Sequence, residues 1–232
     1  MDQHSSKEKP PKNTFRKREA FSFLLVSIFI TVPLYDALLL FCSSSYQLFC
    51  HIVVATQITL AVGVILFMVK KNIPFSTFGL TTNGWRKAII ESLLASVPLI
   101  VLILLSKKFF VPDAETYNKS FFNPSLLNWS VAGYIVIAMI QEFFVRGISM
   151  TVIENVLYGK YRSFLAILIT AVLFAALHSP FSPWFAFSAF VCGLMWGWLY
   201  SRHRTIIGVG ISHFIVGNVA YFAGLWNYLL GK

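Results

Sequence analysis

We predict an all-α, polytopic membrane protein with about seven to eight transmembrane helices. Of the 232 residues, 57% are hydrophobic and only 12% are charged, whereas about a quarter of the residues in a typical soluble domain are charged. Apolar stretches also recur along the chain, and about 20 such residues cross a bilayer as a helix. The predicted spans are residues 20–42, 50–69, 88–105, 130–150, 163–179, 184–200 and 205–230. The last stretch gives an eighth span if it breaks at its glycines.

The 19 lysine and arginine residues are distributed unevenly among the predicted loops. Six lie in the N-terminal tail, four lie between spans two and three, and pairs follow spans four and six. A cytoplasmic N-terminus places fourteen of them inside and four outside, as the positive-inside rule requires. The net charge of +10 is spread over short loops beside the membrane. Anionic lipid headgroups are therefore expected partners, and nucleic acid is not.

The chain divides into three segments by composition. Residues 1–19 are polar and are predicted to form a disordered cytoplasmic tail. The first span is longer than the apolar core of a signal peptide and lacks a small-residue cleavage site, so we expect it to be retained. Each of the first three predicted spans holds a single Asp, Glu, His, Lys or Arg residue, whereas four such residues occur in the spans after residue 130, two of them in one span. Residues 20–128 are therefore predicted to form a transmembrane scaffold, and residues 129–232 the functional core.

Four ionisable side chains lie inside or at the end of these core spans. They are Glu142 and Arg146 in span four, His178 at the end of span five, and His213 in span seven. Such groups are costly in hydrocarbon and are usually functional. Glu142 and Arg146 are four residues apart, so they share a helix face and can form a charge-assisted hydrogen bond. Each residue alone could be structural, but together they predict one polar site between helices.

The residue types in this site suit the activation of water. A glutamate and two histidines in a low-dielectric cavity provide a general base, a second proton carrier and donors for an oxyanion. Glu142, His178 and His213 could instead bind a divalent metal such as zinc and leave a fourth position open. The sequence has no His-Glu-x-x-His pair, so this metal signature is weak. Buried Glu, His and Arg also occur in transporters, although no inverted repeat is visible here.

These motifs resemble the CAAX-protease and bacteriocin-processing family of intramembrane proteases, also called the CPBP or Abi family. The family motif Glu-Glu-x-x-x-Arg reads here Gln141-Glu142-Phe143-Phe144-Val145-Arg146, and Phe-x-x-x-His is matched by Phe174 and His178. The third motif, a histidine followed by asparagine, is matched in part by His213 and Asn218. Phe78-Gly79-Leu80 resembles an upstream Gly-Leu loop of the family.

The resemblance implies an intramembrane endopeptidase that hydrolyses a peptide bond of a membrane-associated or exported protein or peptide. It implies that residues 129–232 are the catalytic core and, with the short loops and few cysteines, that the protein lies in a bacterial cytoplasmic membrane. Carried over residue by residue, the family roles make Glu142 the base and His178 its partner in holding water. His213 and Asn218 would stabilise the oxyanion, and Arg146 would orient the glutamate.

Two departures from the family pattern bear on activity. The usual catalytic glutamate is the first of the pair, and Gln141 at that position cannot act as a base. Either Glu142 takes over this role, or the protein is an inactive relative that acts as a membrane binding or regulatory protein. Asn218 comes one residue later than the family pattern, about 140° around a regular helix from His213. A helix break near Gly217 would be needed to bring it to the site.

Overall fold

The computed structural model describes residues 46–110, 129–179 and 182–225. This part of the chain is helical and contains no β-strand, which confirms the predicted all-α class. The α-helices are α1 (Tyr46–Lys70), α2 (Trp85–Phe110), α3 (Trp129–Glu142), α4 (Thr151–Val156), α5 (Arg162–Ala176), α6 (Pro183–His203) and α7 (Ile206–Phe222). A π-helix, Phe143–Met150, joins α3 directly to α4, and a 3₁₀ turn, Phe75–Phe78, lies between α1 and α2.

The predicted spans two to seven each coincide with a helix or a continuous helical run. Four of these are long and apolar enough to cross a membrane: His51–Lys70, Trp85–Ser106, Val131–Val156 and Pro183–His203. The apolar helices α5 and α7 are shorter, at 15 and 17 residues. The predicted tail, residues 1–19, and the first predicted span, 20–42, lie outside the described residues. The total of seven to eight spans stays a prediction.

Local sequence signals fix both ends of α6 and the sharp link from α6 to α7. Ser182 caps the N-terminus of α6 with its side chain, and Pro183 occupies the first helical position, where a missing N–H does no harm. At the other end, Arg204 takes a left-handed conformation with φ of 52° and stops the helix. Thr205 then caps α7. The guanidinium of Arg204 is held by both carboxylate oxygens of Glu154, at 2.6 and 2.9 Å, so this sharp link is anchored to the end of α4.

The distribution of side chains is that of a protein surrounded by lipid. Large apolar residues are exposed on the outer faces of the helices, such as Leu66 at 62% and Leu94 at 66%. Polar and charged side chains lie in the interior instead. Among the described residues, the fully buried ones are Ser92, Ser96, Glu142, Arg146, Thr170, Thr205 and Ser212. Hydrocarbon offers these groups no hydrogen bonds, so they are buried where other helices can supply partners.

Glycines on α7 allow other helices to approach closely, as their positions in the sequence suggest. A Cβ added at Gly208 would overlap the backbone carbonyl of Ala88 on α2 and lie 2.9 Å from Ser92 Oγ. A Cβ at Gly217 would lie 2.6 Å from the Tyr134 ring of α3. These contacts press α7 against both α2 and α3, and this close packing fixes the position of the residues that α7 carries.

A chain of hydrogen bonds joins α2, α6 and α7 in the interior. The indole Nε1 of Trp196 donates to Ser212 Oγ at 2.9 Å. The Ser212 hydroxyl lies 2.6 Å from Ser96 Oγ, and Ser96 donates to the Ser92 carbonyl at 2.7 Å. The carbonyl can only accept, so the direction of donation runs from Trp196 through Ser212 and Ser96 to Ser92. Three helices are thereby tied together directly beside His213.

We expect Gly208→Ala to destabilise the protein by about 1–3 kcal/mol, because the added methyl group overlaps a backbone atom that cannot rotate away. Thermal unfolding in detergent micelles, followed by tryptophan fluorescence, measures the effect. Gly63→Ala in α1 is the matched control, because a Cβ there meets nothing within 4 Å. Equal melting temperatures for the two variants would contradict the close contact between α2 and α7.

We expect Ser212→Ala to destabilise the protein by about 1–3 kcal/mol, because it leaves the buried Trp196 N–H without an acceptor. Ser188→Ala on α6 is the control. Its hydroxyl bonds only to the Trp184 carbonyl one turn earlier, at an exposed position. The same unfolding assay compares the two variants. A Ser212→Ala protein as stable as Ser188→Ala would show that the hydrogen-bond chain does not hold the helices.

Candidate active site

Three of the predicted site residues meet in the interior of the helical bundle. Glu142, the last residue of α3, and Arg146, in the π-helix, are both 0% exposed, and His213 on α7 is 4% exposed. His213 Nδ1 lies 2.9 Å from Glu142 Oε1, and Arg146 Nε lies 3.3 Å from Glu142 Oε2. The structure therefore brings together a carboxylate, a guanidinium and an imidazole, as the sequence predicted.

The π-helix begins immediately after Glu142 and contains Arg146. Such segments are rare and often occur at functional sites, because the wider turn changes which residues face inward. Gly147 in this segment lies against the 3₁₀ turn, and a Cβ added there would be 2.5 Å from the Phe78 carbonyl oxygen. The sequence predicted a regular helix here and carries no local signal for the π-helix. The contact of Gly147 with Phe78 joins segments distant in the sequence.

Hydrogen bonding within the site is incomplete. Glu142 Oε2 and all three guanidinium nitrogens of Arg146 have no hydrogen-bond partner among the described residues, although all four atoms are buried. The 3.3 Å contact between Arg146 Nε and Oε2 is an ion pair without hydrogen-bond alignment. Buried polar atoms are nearly always paired with protein or with water. The site therefore holds one free acceptor and several free donors at a single location.

Aromatic rings surround His213 and fix its orientation. The Trp196 indole stacks on the imidazole with a centroid separation of 4.2 Å and an interplanar angle of 21°. Tyr134 and Phe174 approach it edge-on at 5.9 and 5.7 Å. Trp196 is itself held by Ser212, the residue before His213. The motifs singled out Phe174 but not Trp196 or Tyr134, and a serine beside His213 in an apolar helix was the signal for the hydrogen-bond chain.

His178 lies next to this group, in the turn after α5. Its Nδ1 is 2.7 Å from the Phe174 carbonyl oxygen, and its ring centroid is 4.5 Å from that of Phe174. The Phe174 ring contacts His213 as well. The two predicted histidines are therefore neighbours that share contact with one phenylalanine. Because a carbonyl only accepts, His178 carries a proton on Nδ1.

Asn218 and Gln141 contribute less directly. Asn218 Nδ2 donates to the Phe214 carbonyl of its own helix at 2.9 Å. Helix α7 continues without interruption through Gly217, so the break that would turn Asn218 toward His213 does not occur in this helix. Gln141 precedes Glu142 on α3 and is half-buried. The structure thus leaves the asparagine bonded to its own backbone.

The alternative of a metal site finds no ligand set here. No three His, Cys, Asp or Glu side chains within residues 46–110, 129–179 and 182–225 are arranged to hold a metal ion. Glu142, His178 and His213 do not converge as one ligand set in this arrangement. The zinc alternative stays a prediction.

Comparison with known protein families agrees with the motifs. No curated protein and no solved structure matches the chain. One family model does match, described as Type II CAAX prenyl endopeptidase Rce1-like, and it covers residues 123–219. This region includes the π-helix and every predicted site residue. The upstream loop Phe78-Gly79-Leu80 lies outside it, so that part of the resemblance stays a prediction. The chain is an integral membrane protein, and its residues 123–219 match the Rce1-like type II CAAX prenyl endopeptidase family, as the motifs predicted.

Proposed function

We propose that this protein is an intramembrane endopeptidase that hydrolyses a peptide bond of a membrane-associated or exported protein or peptide, with Glu142 as the general base. One observation carries the proposal. The two oxygens of the buried Glu142 carboxylate have different environments. Oε1 is bonded to His213, whereas Oε2 is in ion-pair contact with Arg146 and has no hydrogen-bond partner among the described residues. A carboxylate held at one oxygen and without a hydrogen bond at the other is suited to accept a proton from water.

The proposed reaction proceeds in two steps. Water bonded to Glu142 Oε2 transfers a proton to the carboxylate while its oxygen attacks the carbonyl carbon of the scissile peptide bond. The carbon–nitrogen bond of the resulting tetrahedral species then breaks, and the proton passes from Glu142 to the leaving amine. The products are a carboxylic acid and an amine. The low-dielectric surroundings strengthen each of these electrostatic interactions.

The histidines support this step in different ways. His213 donates from Nδ1 to Glu142 Oε1, which orients the carboxylate, and Trp196 keeps the imidazole in place by stacking. His178 donates from Nδ1 to the Phe174 carbonyl, and its ring contacts the Phe174 ring, so the imidazole is held beside His213. We assign His178 to hold the attacking water, the role that the family motif implies for it.

The family match suggests a substrate class for the first assays. The matched family is described as acting on CAAX prenyl proteins, so a farnesylated peptide with a C-terminal CAAX sequence is the first probe. The lipid group of such a peptide suits the apolar outer faces of the helices that enclose the site. Divalent metal is not assigned a role, because the described residues provide no ligand set.

We also propose a cytoplasmic N-terminus in a bacterial membrane. The loop between α1 and α2 and the link between α6 and α7 both have basic residues nearby, and they contact each other on one side of the bundle. The Ile206 amide donates to the Gly79 carbonyl at 3.1 Å, and Thr205 Oγ1 donates to the Thr81 carbonyl at 2.7 Å. The basic residues near these contacts are Lys70, Lys71, Arg86, Lys87, Arg202 and Arg204. Their common side is the one that the positive-inside rule assigns to the cytoplasm.

We expect Glu142→Gln to abolish cleavage, with a loss of at least about 1,000-fold in kcat, because the amide cannot accept the proton from water. His178→Ala and His213→Ala should each lower kcat strongly as well. Purified variants in detergent are compared using a quenched fluorescent, farnesylated CAAX peptide. In parallel, membrane and secreted peptides from cells with matched expression are compared by mass spectrometry.

Glu91→Gln is the control for this series. Glu91 also pairs with an arginine, Arg202, at 3.0 Å, but the pair lies at the surface and away from the site. The control variant should cleave at the wild-type rate. If Glu142→Gln cleaves as fast as Glu91→Gln, or no precursor accumulates uncut in cells carrying it, then Glu142 is not the base and the alternative of a binding or regulatory protein is supported.

We expect Gln141→Glu to cleave at least as fast as the wild type, because it restores the first carboxylate of the family motif while Glu142 remains. Initial rates with the same quenched peptide measure this. The double variant Gln141→Glu with Glu142→Gln tests whether the restored carboxylate can act alone. A rate for Gln141→Glu that falls to the level of Glu142→Gln would contradict the expectation that position 141 tolerates the family residue.

A further inference from the structure

We infer that the guanidinium of Arg146 binds the oxyanion of the tetrahedral intermediate, a role that the sequence motifs assign to His213 and Asn218. This inference rests on the proposed function, because it concerns the same hydrolysis. It changes the role of Arg146 from a residue that orients Glu142 to one that contacts the reacting atoms.

Arg146 carries hydrogen-bond donors that its contacts do not use. Its side chain is 0% exposed, and Nε, Nη1 and Nη2 all lack a hydrogen-bond partner among the described residues. A guanidinium presents five N–H donors in a rigid, planar fork. The contact with Glu142 Oε2 at 3.3 Å neutralises its charge but satisfies none of these donors. A buried cation with free donors is a site for an anionic oxygen.

His213 already donates to another group of the site. Its Nδ1 lies 2.9 Å from Glu142 Oε1, an acceptor, so Nδ1–H is directed at the carboxylate and not at a substrate oxygen. Trp196 stacks on the ring and holds this orientation. His213 is therefore occupied in orienting the glutamate.

Asn218 is hydrogen-bonded within its own helix. Its amide Nδ2 donates to the Phe214 carbonyl at 2.9 Å, within the same helix. Helix α7 remains regular from Ile206 to Phe222 and gives the asparagine no turn toward the site. Of the groups that the motifs single out, Arg146 is the one that combines positive charge, burial and unpaired donors.

An aromatic ring holds the guanidinium in place without using its donors. The Phe174 ring lies 5.5 Å from Cζ of Arg146, within the range of a cation–π interaction. This contact and the ion pair with Glu142 position the charge while the N–H groups have no hydrogen-bond partner among the described residues. A preorganised donor of this kind is what stabilises an oxyanion.

The proposed step assigns each oxygen of the intermediate to one group. Water attack yields a carbon that carries one oxygen from water and one from the former carbonyl. Glu142 Oε2 accepts the proton released by water, and the former carbonyl oxygen, now negative, receives hydrogen bonds from Nη1 and Nη2 of Arg146. When the carbon–nitrogen bond breaks, that oxygen returns to a carbonyl and the proton on Glu142 moves to the leaving amine.

The test compares Arg146→Lys with Arg202→Lys, which changes an arginine of a surface ion pair. Lysine keeps the charge but loses the fork. We expect Arg146→Lys to lower kcat by about 100-fold or more, the usual effect of losing an oxyanion donor, with less than about a threefold change in KM. Arg202→Lys should resemble the wild type. Thermal unfolding establishes that each variant is folded, and Arg146→Gln replaces the lysine variant if that one does not fold.

Affinity for two uncleavable peptides separates oxyanion binding from orientation of Glu142. Both are versions of the cleaved peptide, one with a phosphonamidate and one with a reduced amide at the scissile bond. The phosphonamidate carries the anionic oxygen of the intermediate. Arg146→Lys should weaken binding of the phosphonamidate by about the same factor as kcat/KM and leave binding of the reduced amide within about threefold.

Three results would overturn the inference. The first is a phosphonamidate affinity that Arg146→Lys leaves unchanged. The second is an equal loss of affinity for both peptides, which would show a structural role. The third is a larger loss of phosphonamidate binding in Asn218→Ala than in Arg146→Lys. In each case the wild type still cleaves peptide, so the proposed function stands. A wild-type protein that cleaves no peptide overturns both proposals.

Discussion

The ion pair between Glu142 and Arg146 is the constraint on which the rest of this structure depends. Both side chains are fully buried in a bundle whose outer faces are apolar. Desolvation of each charge costs several kcal/mol, and removal of one partner would leave the other uncompensated. The two residues must therefore remain within contact distance in any folded state. His213 completes the group by donating to the carboxylate oxygen that lies away from Arg146.

The surrounding helices can be understood as the support for this group. Gly208 lets α7 lie against the backbone of α2, and Ser96 on α2 bonds to Ser212, the residue next to His213. Helix α2 belongs to the segment that the sequence analysis describes as scaffold. It nevertheless acts directly on the site, because it fixes the helix that carries the imidazole. The Trp196 side chain links the same chain of hydrogen bonds to the face of the histidine ring.

Much of this arrangement was predictable from local sequence. Glu142 and Arg146 are four apart in one predicted span, so a shared face and a contact were expected, and they are in contact although Arg146 lies in a π-helix. Apolar stretches gave the approximate bounds of six helical segments. The π-helix and the contact of Trp196 with His213 were not predictable in this way. Both depend on packing between distant segments, such as Gly147 against Phe78. Asn218 shows the reverse case, since a motif suggested a contact that a continuous helix does not provide.

The unpaired atoms of the site also indicate which species it stabilises best. In the proposed reaction, the carbonyl oxygen of the scissile peptide bond is neutral before attack and gains little from the charged donors of Arg146. Once water has attacked, that oxygen is negative and gains more from them, while the released proton needs an acceptor such as Glu142 Oε2. The unpaired donors and acceptor therefore match the proposed intermediate better than the substrate. Such differential binding is what the proposed catalysis requires, and it gives the incomplete hydrogen bonding of this buried, charged site a role in the proposed reaction.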